Sequence, residues 1–205
     1  MILACLIFIG SAQPAPNAYY IEPASTPFGI VATDDRCSAI YLIRDNTCNK
    51  LFSGPGCGRY VSVSAARDQI GFKSISENGF QTPAVLDLPS RTLTRLHEPV
   101  ERAGQVSFSQ DGKVAFTIGT ELFVANRGSV TRYGLGEYAN LAPISPNAEH
   151  AVYNDGQDQL WTLDLRTRQR SCITDHKRGY CRPVWSPDSR LIAYSTMNGE
   201  LLSIS

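Results

Sequence analysis

Residues 183–194 read PVWSPDSRLIAY, and this stretch decides the fold because weaker copies of it recur upstream. The copies are ISPNAEHAVY at 144–153, FSQDGKVAF at 108–116, VSAARDQIGF at 63–72 and, most weakly, IEPASTPFGIVA at 21–32. Successive copies are 36 to 45 residues apart when they are aligned on their apolar anchors, Ile21, Val63, Phe108, Ile144 and Trp185. Self-similarity at such a period is typical of a repeat fold.

Each copy predicts a strand, a tight turn of the Ser-Pro-Asp-Gly type and a second strand. A third strand follows at 40–44, 84–88, 122–125, 160–165 and 201–204, and a more polar fourth strand at 50–52, 93–96, 130–133 and 170–173. Four short antiparallel strands in each repeat are typical of a propeller blade. We therefore predict an all-β fold, a β-propeller of four-stranded antiparallel blades at 19–55, 58–100, 104–136, 140–176 and 181–205, the fifth blade being incomplete.

The pattern Trp-Ser-Pro-Asp-x-x-x-Ile-Ala-Tyr at 185–194 resembles the repeat of TolB-like (WD40-like) propellers, which also form part of prolyl-oligopeptidase-type peptidases. The repeats cover residues 19–205. The resemblance implies that Trp185, Pro187 and Asp188 have structural roles. TolB-like propellers usually have six or more blades. The chain is therefore expected either to close as five blades through an irregular N-terminal strand or, preferably, to be the front part of a longer propeller.

Residues 1–18 are predicted to be a signal peptide and linker. Residues 2–9 form an apolar run, and the small residues Gly10, Ser11 and Ala12 follow it where signal peptidase cleaves. The run is too short to span a bilayer, which needs about 20 apolar residues. A buried strand at the start of the chain is the alternative, although the Pro-rich residues 13–17 fit a linker better. The pattern predicts a periplasmic or secreted protein, without an integral membrane segment after signal removal.

The cysteines are spaced in a way that agrees with export. Cys48 and Cys57 are nine residues apart, as are Cys172 and Cys181, and both pairs fall between a fourth strand and the next blade. Equal spacing at equivalent positions predicts two disulfides that join successive blades. Four buried free thiols are the alternative, while zinc is disfavoured because neither pair has the close spacing of a metal knuckle. Cys37 has no predicted partner.

Ligands of propellers usually meet the face that carries the loops between second and third strands and between blades. Asp34 and Asp35 on this face could bind a cation or a basic partner, and a solvated turn is the alternative. Asp155 lies in a segment too short for a calcium loop, which favours a tight turn. His176, Arg178 and Tyr180 lie inside the second predicted disulfide loop, so they form a candidate recognition element or an ordinary exposed loop.

These features predict a binding protein more than an enzyme. No Gly-x-Ser-x-Gly motif occurs, so no catalytic residue, cofactor or metal is assigned. Equal numbers of acidic and basic residues argue against nucleic acid as a partner. We expect an exported, non-enzymatic scaffold that binds a protein or a glycan on the channel face in the cell envelope. The alternatives are the propeller part of a larger prolyl-oligopeptidase-type hydrolase, or a propeller glycosidase using Asp34, Asp35 or Asp155.

Overall fold

The computed structural model describes residues 19–175 and 178–205, and the backbone of residues 4–6. The chain divides into two compact units, Met1–Glu101 and Arg102–Ser205. Within the described residues the strands form five antiparallel sheets, in which strands that follow one another along the chain pair with one another. This arrangement is that of propeller blades, so the predicted all-β, β-propeller fold is confirmed.

The first unit contains two blades. A short strand, β1 (Ala4–Leu6), comes first in the chain. The first blade consists of β2 (Tyr20–Thr26), β3 (Gly29–Asp34), β4 (Ala39–Arg44) and β5 (Thr47–Ser53). The second blade consists of β6 (Ser62–Val63), β7 (Gln69–Ile75), β8 (Gln81–Asp87) and β9 (Thr92–Arg95).

Strand β1 lies in the segment that the sequence predicts to be a signal peptide. It pairs antiparallel with β9, with Cys5 opposite Leu93, and so adds a fifth strand to the second blade. In the uncleaved chain residues 4–6 therefore form a strand, as in the alternative to a signal peptide. The pairing does not test whether residues 1–18 are removed, and the predicted boundary stays a prediction.

The second unit contains three blades. The third blade consists of β10 (Ser107–Phe108), β11 (Val114–Ile118), β12 (Glu121–Asn126) and β13 (Ser129–Gly134). The fourth consists of β14 (His150–Asn154), β15 (Leu160–Asp164) and β16 (Arg170–Cys172), and its first strand is reduced to a single bridge between Ile144 and Ala151. The fifth consists of β17 (Tyr180–Trp185), β18 (Ile192–Thr196) and β19 (Leu201–Ile204), with no fourth strand described.

In four of the five blades the serine of the repeat motif closes the turn between the first two strands, and the weakest copy has Glu22 at that position. The hydroxyl of Ser145 accepts hydrogen bonds from the backbone N–H groups of Glu149 and His150, at 3.2 and 3.0 Å, and donates to Asn147 Oδ1 at 2.7 Å. The equivalent hydroxyls, which make the same kind of bonds, belong to Ser64, Ser109 and Ser186. A side-chain hydroxyl that satisfies turn N–H groups in this way stabilises the turn locally. The motif is therefore structural.

Trp185 of the repeat motif also has a structural role. Its side chain is half-buried, and Nε1 donates a hydrogen bond to the carbonyl of Pro143, at 3.0 Å, in the segment that leads into the fourth blade. Its ring centroid lies 6.3 Å from that of His150. The indole therefore joins the fifth blade to the fourth, as the resemblance implies.

The apolar cores lie between adjacent blades. One cluster joins the first and second blades through Ile40 and Phe72, among others. A second joins the third and fourth blades through Leu122 and Tyr153. The third joins the fourth and fifth blades around Leu160. Burial of apolar surface at these junctions is the main stabilising contribution that the structure shows.

Candidate functional site

The turns between second and third strands, where the sequence places several candidate residues, are closed by one recurring hydrogen bond. In four blades a side-chain oxygen accepts the backbone N–H of the residue four positions later. The pairs are Asp34 with Ser38 at 2.5 Å, Ser76 with Phe80 at 3.1 Å, Asp155 with Gln159 at 2.8 Å, and Thr196 with Glu200 at 3.1 Å. Two carboxylates thus occupy positions that Ser and Thr hydroxyls occupy in other blades, which indicates a turn-forming role.

Asp34 uses both of its carboxylate oxygens inside its own turn. Oδ1 also accepts the N–H of Ala39 at 3.3 Å, and Oδ2 accepts the hydroxyl of Ser38 at 2.6 Å. The neighbouring Asp35 is exposed. The geometry favours a polar turn over a cation site for Asp34 and Asp35, because both carboxylate oxygens of Asp34 already accept hydrogen bonds within the turn.

Asp155 is held in the same manner. Oδ1 accepts the N–H groups of Gln157 and Gln159, each at 2.8 Å, and Oδ2 accepts Nε1 of Trp161 at 2.8 Å. This arrangement is the tight turn that the sequence favours for the segment. A carboxylate that already accepts three hydrogen bonds has little capacity left for a substrate or an ion.

Tyr180 does not lie in an exposed loop as the sequence predicts. It is the first residue of β17, and its side chain is 3% exposed. Its hydroxyl donates to Asp175 Oδ1, and its ring meets that of Tyr194 edge-on at 5.5 Å. The pKa of Tyr180 is raised above its usual value, mainly by the hydrogen bond to Asp175 and secondly by burial. Tyr180 therefore belongs to the core between the fourth and fifth blades, and its assignment to a binding site is corrected.

Arg178 is the one member of the predicted trio that the structure places at the surface. Its guanidinium pairs with the carboxylate of Glu200, and both side chains are exposed. Its carbonyl accepts Nε2 of Gln159 at 3.0 Å, which ties the 178–179 backbone to the neighbouring turn. His176 lies outside the described residues.

Neither predicted disulfide is formed, and the four cysteines are free thiols. The strand register explains the first pair. Cys48 is opposite Ile43, and its Sγ lies 3.1 Å from the hydroxyl of Tyr20. Cys57 is fully buried in the core that contains Ile40. Because Ile40 and Ile43 point to opposite faces of β4, the two thiols lie on opposite sides of the first blade.

The second cysteine pair also points to different sides. Trp161, opposite Cys172, packs between the third and fourth blades, whereas Ser195, opposite Cys181, lies on the face of β18 away from Tyr194 and the fourth blade. Cys172 is opposite Trp161, and its thiol lies 3.6 Å from the carbonyl oxygen of Thr174. Cys181 is opposite Ser195, whose hydroxyl lies 3.1 Å from its Sγ. The two predicted disulfides are therefore absent from the structure. The alternative of four buried free thiols holds in part, since Cys48 and Cys57 are buried while Cys172 and Cys181 are half-buried. Equal spacing along the chain did not fix the direction in which each side chain points.

The exposed side chains near Arg178 form a surface that the sequence analysis missed. We call it the loop patch, and it consists of Glu137, Asp158, Arg178, Met197 and Glu200. Glu137 Oε2 accepts the N–H of Gly156 at 2.6 Å, and the N–H of Met197 donates to the carbonyl of Gly179 at 2.9 Å. The first bond joins the segment after β13 to the turn after β14, and the second joins Gly179 to the turn after β18. Hydrogen bonds thus hold the loops of the patch against their neighbours.

Met197 is the unusual member of the loop patch, since its side chain is 63% exposed. It follows Thr196, the residue that closes its turn. The residues at the same step in the other turns are Asp35, Glu77 and Gly156. An apolar residue where the other turns carry Asp, Glu or Gly is the sequence signal that could have identified this surface.

A buried lysine is the other feature that the sequence analysis missed. Lys73 of β7 is 6% exposed. Burial, and then the positive charge of Arg59, lower the pKa of its ammonium group to about 8. Desolvation disfavours the charged form of a lysine, so this side chain loses its proton at a lower pH than an exposed lysine does.

The described parts of the chain hold no group of three His, Cys, Asp or Glu side chains arranged to bind a metal ion. Within the same residues no helix has the length and apolar character that a membrane span requires.

The fold is shared with known propellers. TolB from Acinetobacter baumannii superimposes with a TM-score of 0.69 at 20% identity, over 92% of this chain and 52% of that structure. The putative TolB from Agrobacterium tumefaciens gives 0.67 at 17% identity, over 87% of this chain and 70% of that one. An oligogalacturonate lyase in complex with manganese gives 0.62 at 11% identity, over 92% and 65%.

These similarities establish a TolB-like propeller fold, and at such identities they establish the fold alone. The chain spans about half the length of the Acinetobacter TolB structure. No protein-family model matches the chain, and no curated protein matches its sequence. One fold therefore includes two proteins named TolB and one named for a lyase reaction, so function has to be argued from the residues of this chain.

Proposed function

We propose that the protein is an exported, non-catalytic scaffold that binds another protein through the loop patch. The observation that carries the proposal is the exposed Met197 beside the Arg178–Glu200 ion pair, on loops that backbone hydrogen bonds hold in place. Met and Arg are enriched in protein–protein interfaces, where a flexible thioether fits irregular apolar surfaces. A surface ordered before binding loses less entropy on association.

The composition of the loop patch favours a protein over a glycan. Sugars are commonly held by stacking on an exposed aromatic ring, and none of the five residues of the loop patch is aromatic. Three acidic side chains and one basic side chain also disfavour a polyanionic ligand. An apolar side chain surrounded by charged groups of both signs is the pattern of a small protein-binding surface.

The contacts of Asp34 and Asp155 support a non-catalytic role. A glycosidase needs two carboxyl groups free to exchange protons or attack the substrate. Here the oxygens of both residues accept hydrogen bonds from their own turns. These contacts argue against a glycosidase that uses Asp34 and Asp155 as its catalytic pair.

The export part of the proposal rests on the N-terminal sequence. The apolar run at 2–9, followed by Gly10, Ser11 and Ala12, has the form of a signal peptide. The free cysteines give this part no support. Cell fractionation with mass determination of the mature chain tests it. A periplasmic or secreted chain that begins near residue 13 supports export, and a cytoplasmic chain that retains Met1 contradicts it.

Partner capture tests the binding role. The parent and the double variant Met197→Asp, Arg178→Glu are immobilised and exposed to cell-envelope extract, and bound proteins are quantified by mass spectrometry. The control is Val130→Asp, because Val130 is also apolar and 55% exposed but lies on β13 of another blade. We expect specific proteins to be lost from the double variant and retained by the control. Equal capture by all three contradicts the assigned surface.

An activity screen tests the non-catalytic part separately. The purified parent is incubated with glycoside and peptide panels, and we expect no turnover. Turnover that disappears in Asp34→Asn or Asp155→Asn would instead support the hydrolase alternative.

A further inference from the structure

Adjacent blades within each unit pack face to face, each blade contacting the previous blade with one side of its sheet and the following blade with the other. We define the front face of a blade as the side that packs on the following blade, and the back face as the opposite side. At the junctions of blades one and two, three and four, and four and five, a front face packs on a back face. One front-face position shows this clearly, since Ile40, Leu122 and Leu160 are each 0% exposed. These residues are equivalent because each lies on the third strand and pairs with the corresponding residue of the second strand, which is Thr33, Thr117 or Asn154.

The front face of the fifth blade breaks this pattern. Leu201 is the residue of the fifth blade equivalent to Leu160, because it pairs with Ser195 as Leu160 pairs with Asn154. Unlike Leu160, it is 78% exposed. Val184 on the same face is 61% exposed. An apolar face that is buried in the other blades is thus open to solvent here, which marks an interaction surface.

The back face of the first blade shows the complementary exception. Ile30 is 47% exposed. The residues at the same register position of the second, fourth and fifth blades are Ile70 at 0%, Ala151 at 0% and Ile192 at 5%. The first blade therefore exposes its back face at Ile30, although Ala32 on the same face is buried.

We propose that the front face of the fifth blade binds the back face of the first blade of a second copy of this chain. The contact continues the front-to-back packing that joins blades within each copy, so it uses surfaces whose mutual fit the chain already shows. Such a head-to-tail contact uses two different patches. It can therefore add further copies, unlike a two-fold dimer.

The test uses two single variants, one on each face. Leu201→Glu places a charge on the front face of the fifth blade, and Ile30→Glu places one on the back face of the first. Val130→Glu, at an apolar residue that is 55% exposed on a different blade, is the matched control. Both target residues are exposed, so melting temperatures near that of the control are expected. Val184→Glu repeats the front-face test from another strand.

Sedimentation velocity over a wide concentration range gives the readout. We expect the parent and Val130→Glu to assemble as concentration rises, and Leu201→Glu and Ile30→Glu to remain monomers separately. Mixed, these two variants should form a one-to-one dimer, because each retains the face that the other lacks. A monomeric parent overturns the proposal, as does assembly by Ile30→Glu alone or a mixture that stays monomeric.

Discussion

Ser145→Ala tests directly whether the motif serine holds a blade together. Ser145 is fully buried, and its hydroxyl bonds to Asn147 Oδ1 and to the N–H groups of Glu149 and His150. Alanine removes the hydroxyl and leaves the backbone conformation possible. The N–H of Glu149 keeps a second acceptor, Asn147 Oδ1 at 3.2 Å, whereas His150 loses the hydroxyl that accepts its N–H.

The expected loss follows from these contacts. Leaving a buried donor without its acceptor costs about 1–3 kcal/mol, and a typical lost hydrogen bond costs about 1 kcal/mol. We therefore expect Ser145→Ala to lower the free energy of unfolding by about 2 kcal/mol. For a chain of this size, this corresponds to a fall of about 4–8 °C in melting temperature.

Differential scanning calorimetry of the parent and two variants measures this effect. The control is Ser171→Ala, in the exposed outer strand β16 of the same blade, which should change stability by less than about 0.5 kcal/mol. If Ser145→Ala melts within error of Ser171→Ala, the hydroxyl does not hold the turn, and the structural account of the motif fails.

Two further predictions concern buried titratable groups. Because the pKa of Lys73 is lowered to about 8 in the folded state, its contribution to stability should rise as pH increases from about 8 towards the usual lysine value and stay flat below 8. Between pH 8 and about 10, the melting temperature of the parent should therefore rise relative to that of Lys73→Met. A difference between the two melting temperatures that does not change with pH would contradict the lowered pKa. Burial raises the pKa of Cys57 to about 12, so a disulfide reagent at pH 8 should modify the partly exposed Cys37 in the native protein and reach Cys57 only after unfolding. Modification of both at the same rate would show that Cys57 is not buried as described.

The fold could be predicted from the sequence because the motif occurs in every blade. The serine turns and the alternation of apolar residues place the strands to within a few residues, and even the weak copy at 21–32 marks β2 and β3. Strand β1 was only an alternative, because the small residues and the Pro-rich segment after the apolar run favour a signal peptide and a linker. The first strand of the fourth blade is shorter than predicted, since it forms a single bridge at Ile144.

The candidate site could be predicted only in part. Arg178 is exposed as expected, but Tyr180 is buried because β17 begins at that residue, three positions before the repeat motif at 183–194. The charges of Asp34 and Asp155 made them candidates for a binding site. In the structure their carboxylate oxygens accept hydrogen bonds from backbone N–H groups of their own turns. The loop patch depends on contacts between loops distant in sequence, which spacing along the chain does not reveal.

The serine turns also bear on how such a chain can evolve. The residues that follow the serine differ from blade to blade: Ala65 and Ala66, Gln110 and Asp111, Pro146 and Asn147, Pro187 and Asp188. One hydroxyl is what these four turns have in common, so the residues after it can differ while the turn is kept. Shape can then persist after sequence similarity has faded, which agrees with a TM-score of 0.69 at 20% identity.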